Sequence, residues 1–286
     1  MNNSFITFVK ITLLFFTCHA FGYEEHNILD FIRDYQYEQI TARPQASISG
    51  IEQKLLDKRL TPIEQYLARH NLAYGFYKED NRAKSLETIT SAIALATPLE
   101  GYHLAKSLLL RAKIYGILFR DTDTALQDLH RASDIITSSR HPSSIELHFN
   151  ILTALAQAYN QNSDLEKAEN YIDQAIVLAT TLEDNNELIH ALIISGRIYF
   201  QQDKLQKAYK QYMAALELTD DNTDIDRVAS IELRLAMIFS EQEMFSDSLK
   251  HAKKSVELYH QTTKYRMQVK SLRVLGSIYL NLGKDV

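Results

Sequence analysis

Six times along the chain a small residue is followed three positions later by an aromatic one: Ala73/Phe76, Ala112/Tyr115, Ala156/Tyr159, Gly196/Tyr199, Ala236/Phe239 and Gly276/Tyr279. The intervals between successive small residues are 39, 44, 40, 40 and 40. Residues three apart share a helix face, so each pair marks one helix. Each of the first five pairs is followed by a second helical stretch with small and bulky residues of its own. These are Ser85/Ile89/Ala92, Ala125/Leu129/Ala132, Ala168/Ile172/Ala175, Ala208/Tyr212/Ala215 and Ser248/Ala252/Ser255. Polar turns such as Gln161-Asn162-Ser163-Asp164 and Gln201-Gln202-Asp203-Lys204 divide the two helices. The small residue lets the helices approach, and the ring one turn on fills the adjacent hole. One hairpin cannot bury its own apolar stripe, so neighbouring hairpins must stack. The pattern predicts an all-α protein, a right-handed α-solenoid of stacked antiparallel helix pairs.

Composition narrows the chemistry. Eight Gly and four Pro in 286 residues suit long helices and leave few tight strand-to-helix turns. A hydrophobic share of 45% argues against disorder, and a net charge of −5 argues against a nucleic-acid partner. The single Cys excludes an intrachain disulfide and any Cys-rich metal site. The ten histidines are dispersed, with no HExxH spacing, and there is no G-x-S-x-G elbow or Gly-rich phosphate loop. The reading is therefore a non-enzyme, with no catalytic residue, metal or cofactor assigned. Asp220 to Asp226 alternates oxygen-bearing side chains like the start of a calcium loop. Ile225 and Ile231, however, stand where such a loop needs Gly and Glu. An acidic inter-repeat loop, with Asp224 or Asp226 capping the next helix, is the better reading.

Residues 1–22 have a positive start with Lys10, an apolar stretch from Ile11 to Cys18, and small residues at Ala20 and Gly22. This is the layout of a secretory signal, cleaved to leave a chain starting near Phe21 or Tyr23. The expectation is a periplasmic or otherwise secreted protein with no membrane span after cleavage; an uncleaved N-terminal membrane anchor is the alternative. Residues 23–60 read as a helical cap region. It consists of a helix over Glu24–Tyr37, a loop over Thr41–Ser49, and a short helix beginning near Ile51 and closing before Thr61. Thr61, Pro62 and Glu64 form an N-terminal capping signature. Residues 61–286 read as about five and a half repeats.

The best-formed repeat, residues 189–215, places Gly196, Tyr199, Leu205, Ala208, Tyr212 and Ala215 at the packing positions of the tetratricopeptide repeat family, which this chain resembles. Residues 149–175 follow the same pattern, with Ala156, Tyr159, Leu165, Ala168 and Ala175. The likeness covers roughly residues 66–286, with a unit longer than the family's usual one. It implies a scaffold that binds a protein or peptide in its concave groove, lined by the first helix of each pair. Carried over position by position, the first groove set includes His70, Tyr74 and Tyr77, and the second Lys106, Leu109 and Lys113. The third includes Asn150, Thr153, Gln157 and Asn160, and the fourth His190, Arg197 and Phe200. Leu233 falls in the fifth set, and Lys270 and Arg273 in the sixth. No Asp or Glu falls on these positions in a chain that is acidic overall, which suits an acidic partner segment.

The sixth repeat supplies one helix and then reaches Gly283, leaving Leu272, Leu275 and Tyr279 open unless something covers them. A homodimer or another contact through this helix follows as an expectation. The organisation also resembles exported bacterial signalling proteins in which such repeats precede a membrane helix and a diguanylate cyclase or histidine kinase module. The alternative function is thus the extracytoplasmic sensor portion of a truncated signalling protein.

Overall fold

A computed structural model describes residues 37–99, 101–182, 184–220 and 224–283. The signal-like segment, the expected helix before Tyr37, residues 221–223 of the acidic run and the tail 284–286 lie outside the described residues. Among those described there is no strand. The helices are α1 (Tyr37–Ala42), α2 (Pro44–Lys54), α3 (Pro62–Lys78), α4 (Arg82–Ala96), α5 (Gly101–Lys113), α6 (Thr122–Thr137), α7 (Ser144–Gln161), α8 (Leu165–Thr181), α9 (Asn185–Gln201), α10 (Leu205–Leu218), α11 (Ile225–Glu241), α12 (Phe245–His260) and α13 (Tyr265–Leu282). A π-helical segment, Ile114–Phe119, continues α5. The chain forms two compact units, the first ending at Ala158 and the second beginning at Tyr159. Each is a run of stacked helix pairs.

The predicted loop over Thr41–Ser49 is instead helical, interrupted only at Arg43. Pro44 occupies the first turn of α2, where its missing N–H has no partner to lose. The short helix expected from Ile51 is the end of α2, and Leu56 beyond it is exposed. Thr61 caps α3 as expected. Its side chain accepts from the Glu64 N–H, and the Glu64 carboxylate accepts from the Thr61 N–H at 2.8 Å. Asn81, Asp121, Asp164 and Asp224 cap α4, α6, α8 and α11 in the same sense, each accepting the N–H three residues on.

The aromatic member of each sequence pair has a second role, in the turn. Asp80, Arg120, Ser163, Asp203 and Glu243 all have φ between 55° and 62°, and none is glycine. Immediately after each, a backbone N–H bonds back to the carbonyl of Phe76, Tyr115, Tyr159, Tyr199 or Phe239, at 2.9–3.1 Å. For Phe76, Tyr159, Tyr199 and Phe239 this is the 6→1 bond of a Schellman turn, which closes the first helix and reverses the chain; after the π-helical segment the Asp121 N–H reaches one residue further back, to Tyr115. The ring and the carbonyl of one residue thus fix, respectively, the packing and the ending of the helix.

In the first unit Ile40, Ile51, Ala68, Leu72 and Phe76 form a core cluster. In the second, Ile189, Leu192, Tyr199, Ala208, Tyr212, Ala215, Ile231, Leu235 and Ile238 do so across α9, α10 and α11. The small members Ala73, Ala112, Ala156, Gly196 and Ala236 are all buried, as close helix contact requires.

Candidate functional site

Two clusters of polar and aromatic side chains collect on the first helices of the pairs, one in each unit. In the first unit Tyr37 of α1 stacks on Tyr74 of α3, with ring centroids 4.1 Å apart. Lys106 of α5 places its ammonium 5.3 Å from the Tyr37 centroid. Lys78 lies 5.1 Å from Tyr74 and 5.8 Å from Tyr77. Ammonium groups over aromatic faces are held by the ring quadrupole and keep their N–H donors for other partners. Lys78, Lys106 and Lys113 make no ion pair with a carboxylate among the described residues. Burial pulls the Lys106 ammonium below its ordinary range, and Glu146 partly restores it. Lys113 is also lowered, by the protein wall around it and then by Lys78, although its side chain reaches solvent.

Behind these cations runs a chain of hydrogen bonds whose protons can be placed one by one. Tyr66 must donate to the main-chain oxygen of His103, at 3.0 Å, because a carbonyl only accepts. Its oxygen then accepts from Ser107, at 3.3 Å. The Ser107 hydroxyl has one proton, so at 2.9 Å it accepts from His70 Nδ1–H. His70 Nε2 is left as an acceptor, and the Tyr37 hydroxyl donates to it. His70 is therefore neutral, with its proton on Nδ1. Its burial, then Lys106 and His103, hold its pKa well below the usual imidazole value. A general base for Ser107 would have to accept the serine proton, whereas His70 points a proton at Ser107. This histidine–serine pair is thus a positioning network and not an activated nucleophile.

His103 lies next to this network, edge-on to Tyr66 at 4.9 Å and to Tyr102 at 5.5 Å. Tyr102 in turn stacks on His141 at 3.8 Å. His103 Nδ1 is buried without a hydrogen-bond partner. Burial, then Lys106 and His141, push its pKa down to about 3. The Tyr102 hydroxyl is pushed up to about 12, chiefly by burial.

In the second unit Arg197 of α9, Arg234 of α11 and Lys270 of α13 form a run of cations with no carboxylate partner among the described residues. Burial lowers both Arg197 and Lys270, and Arg234 lowers each further by like charge. Arg197 Nε is buried and unpaired. By contrast Arg111 of α5 makes a two-pronged bond at 2.7 Å to Asp128, so it is structural.

The residues expected from sequence divide as follows. Tyr74, Tyr77 and Lys106 come together in the first unit, with Lys113 near Lys78. Asn150 spends its amide on the Glu146 carbonyl, at 3.0 Å, and Gln157 is half-buried. Arg197 and Lys270 meet through Arg234, which the sequence mapping missed. Asn160 is buried, His190 and Arg273 are exposed, and Phe200 packs against the core cluster of α9 and α10. Leu109, Thr153 and Leu233 are buried and unavailable to a partner. Glu146, which is not among the mapped positions, lies close enough to Lys106 to raise its pKa. His70, a mapped groove position, turns out to be buried, and its partners Tyr66, His103, Ser107 and Tyr37 were outside the predicted site; the bonds among them join residues 33 to 41 positions apart. No group of three metal-ligating side chains occurs among the described residues, nor does a helix long and apolar enough to cross a membrane.

No protein-family model and no curated protein sequence matches the chain. Solved structures do. A signal-transduction ATPase with a tetratricopeptide repeat sensor, from Pyrococcus horikoshii, superposes with a TM-score of 0.70 at 12% identity, over 89% of this chain and 37% of that one. The fold is tetratricopeptide-like. The apo quorum sensor NprR from B. thuringiensis gives a TM-score of 0.66 at 16% identity, over 85% of this chain and 68% of its own. A Rap protein complexed with Competence and Sporulation Factor gives 0.62 at 16%, over 90% and 77%. At these identities the likeness is one of fold.

Proposed function

We propose that the chain is a helical-repeat scaffold that binds a protein or peptide partner, engaging acidic side chains of that partner on its first-helix faces. The observation that carries this reading is the set of cations without an ion-paired carboxylate among the described residues, Lys78, Lys106 and Lys113 in one unit and Arg197, Arg234 and Lys270 in the other. Cations held together against mutual repulsion and partial desolvation gain most when a carboxylate arrives. The stacked tyrosines beside the first set offer apolar contact for the rest of a segment. The neutral His70–Ser107–Tyr66 chain holds these walls in place. The Rap structure holding a named factor, and the quorum sensor NprR, support a peptide or protein as the class of partner. The signal-like residues 1–22 support export, with action in the periplasm or outside the cell. A second reading, the sensor portion of a signalling protein, is favoured by the repeat sensor of the Pyrococcus ATPase.

The test is selection of twelve-residue peptides from a random displayed library, followed by titration of the winners. Enrichment in Asp and Glu is expected, with affinity falling as salt rises. Lys106→Glu with Lys113→Glu, or Arg197→Glu with Arg234→Glu, should weaken binding at least tenfold. Winners without acidic residues, or indifference to both reversals, would overturn the reading.

A further inference from the structure

The face of α13 that corresponds to the packing face of α9 is open. In α9, Ile189, Leu192 and Tyr199 are 3%, 8% and 7% exposed, because α10 and its neighbours cover them. Their counterparts 80 residues on, Val269, Leu272 and Tyr279, are 59%, 51% and 49% exposed. The small residue in the middle tells the same story. A Cβ on Gly196 would meet the Tyr212 ring at 2.7 Å, whereas one on Gly276 has nothing within 4 Å. A stripe at spacing 269, 272, 276 and 279 is the seat that a second helix takes in the preceding repeats.

The charges around it select the occupant. Arg266 and Arg273 are the charged residues of α13 besides Lys270, which belongs to the cationic run with Arg234, and the helix carries no acid. Lys253 adds a further ammonium, 5.8 Å from the Tyr279 centroid. A second copy laid on this face would bring like charges together. We propose that α13 is a docking site for an amphipathic helix of a partner protein, with acidic residues along its borders and an aromatic ring that enters the slot at Gly276. This surface is separate from the cationic clusters and does not rest on their role.

The probe is a lactam-bridged helical peptide with the sequence of residues 203–220, which carries Tyr212, altered by Lys207→Glu and Lys210→Glu. It is titrated against the full chain by fluorescence anisotropy, beside the unaltered peptide. The acidic peptide should bind saturably. The unaltered one should bind several-fold more weakly at low salt, a gap that closes as salt screens the charges. Leu272→Glu, an exposed position that leaves the core intact, should cost about tenfold or more in affinity, as should Gly276→Trp. Lys106→Glu should leave affinity unchanged. The proposal is overturned if neither peptide binds, if both bind equally at low salt, or if Lys106→Glu abolishes binding while Leu272→Glu does not. It is equally overturned if sedimentation finds a dimer of the chain that Leu272→Glu dissociates, since the occupant would then be a second copy.

Discussion

Tyr212 lies so close to Gly196 that a methyl group on the glycine would sit 2.7 Å from the ring. Tyr212 is almost wholly buried, so the ring has no room to retreat. Alanine gains about 1 kcal/mol over glycine in a helix, but overpacking costs about 1–3 kcal/mol. Gly196→Ala is therefore expected to lower stability by up to about 2 kcal/mol. Gly276→Ala, with open space around it, should raise stability by up to about 1 kcal/mol. Urea denaturation of the two variants beside the parent chain measures the contrast. Equal shifts would mean that Tyr212 can move.

The five left-handed turn residues make a second set of expectations. A side chain at φ near +60° costs about 1 kcal/mol or more, and glycine avoids it. Ser163 and Glu243 hold this conformation with φ of 62° and 59°. Ser163→Gly and Glu243→Gly should each stabilise by about 0.5–1 kcal/mol, the gain being trimmed by the greater freedom of glycine in the unfolded chain. A thermal melt of each single variant and of the pair checks both the sign and additivity.

The repeat was legible because its signal is local: Gly196 and Tyr199 lie one helical turn apart in any alignment of the chain with itself. The first-unit cluster was not, because each of its bonds joins one hairpin to the next. His70 and Ser107 are 37 residues apart, and nothing near either announces the other. In the second unit the sequence mapping held a fixed register and selected Leu233, a core residue. Its neighbour Arg234 points 100° further round the helix and is half-buried, with its charge near Arg197 and Lys270. Arg197, Arg234 and Lys270 follow one another at 37 and 36 residues, about one turn short of the repeat interval. They run diagonally across the helices, and a position-by-position mapping cuts across that diagonal.

Acid should weaken the first unit before its carboxylates titrate. His70 and His103 stay neutral in the fold, mainly because they are buried. In the unfolded chain each takes up a proton near pH 6.5. The unfolded state then binds more protons, so the stabilisation is complete above pH 6.5 and is lost as pH falls, for His103 down to about 3. Each such group contributes up to about 1.4 kcal/mol per pH unit within that window. Urea midpoints at pH 7.5, 6.5 and 5.5 should fall steadily. His103→Phe removes the titrating ring yet keeps the main-chain oxygen that Tyr66 uses, so it should flatten the profile. A parent chain equally stable at pH 7.5 and 5.5 would contradict the neutral assignment.

Arg234 and Arg111 should respond in opposite ways to loss of charge. Arg111 neutralises Asp128, whose carboxylate is 5% exposed and bonded at 2.7 Å through both oxygens. Arg111→Gln strands that carboxylate in the interior, at a cost of about 3–5 kcal/mol. Arg234 has no carboxylate partner to strand among the described residues; its charge acts on Arg197 and Lys270, which it destabilises. Arg234→Gln should leave stability unchanged or slightly raised while lifting the Lys270 pKa, observable by NMR titration of its side chain. Strong destabilisation by Arg234→Gln would mean that this arginine is built into the fold, and the cationic run in the second unit would then be structural instead of a seat for an acidic partner.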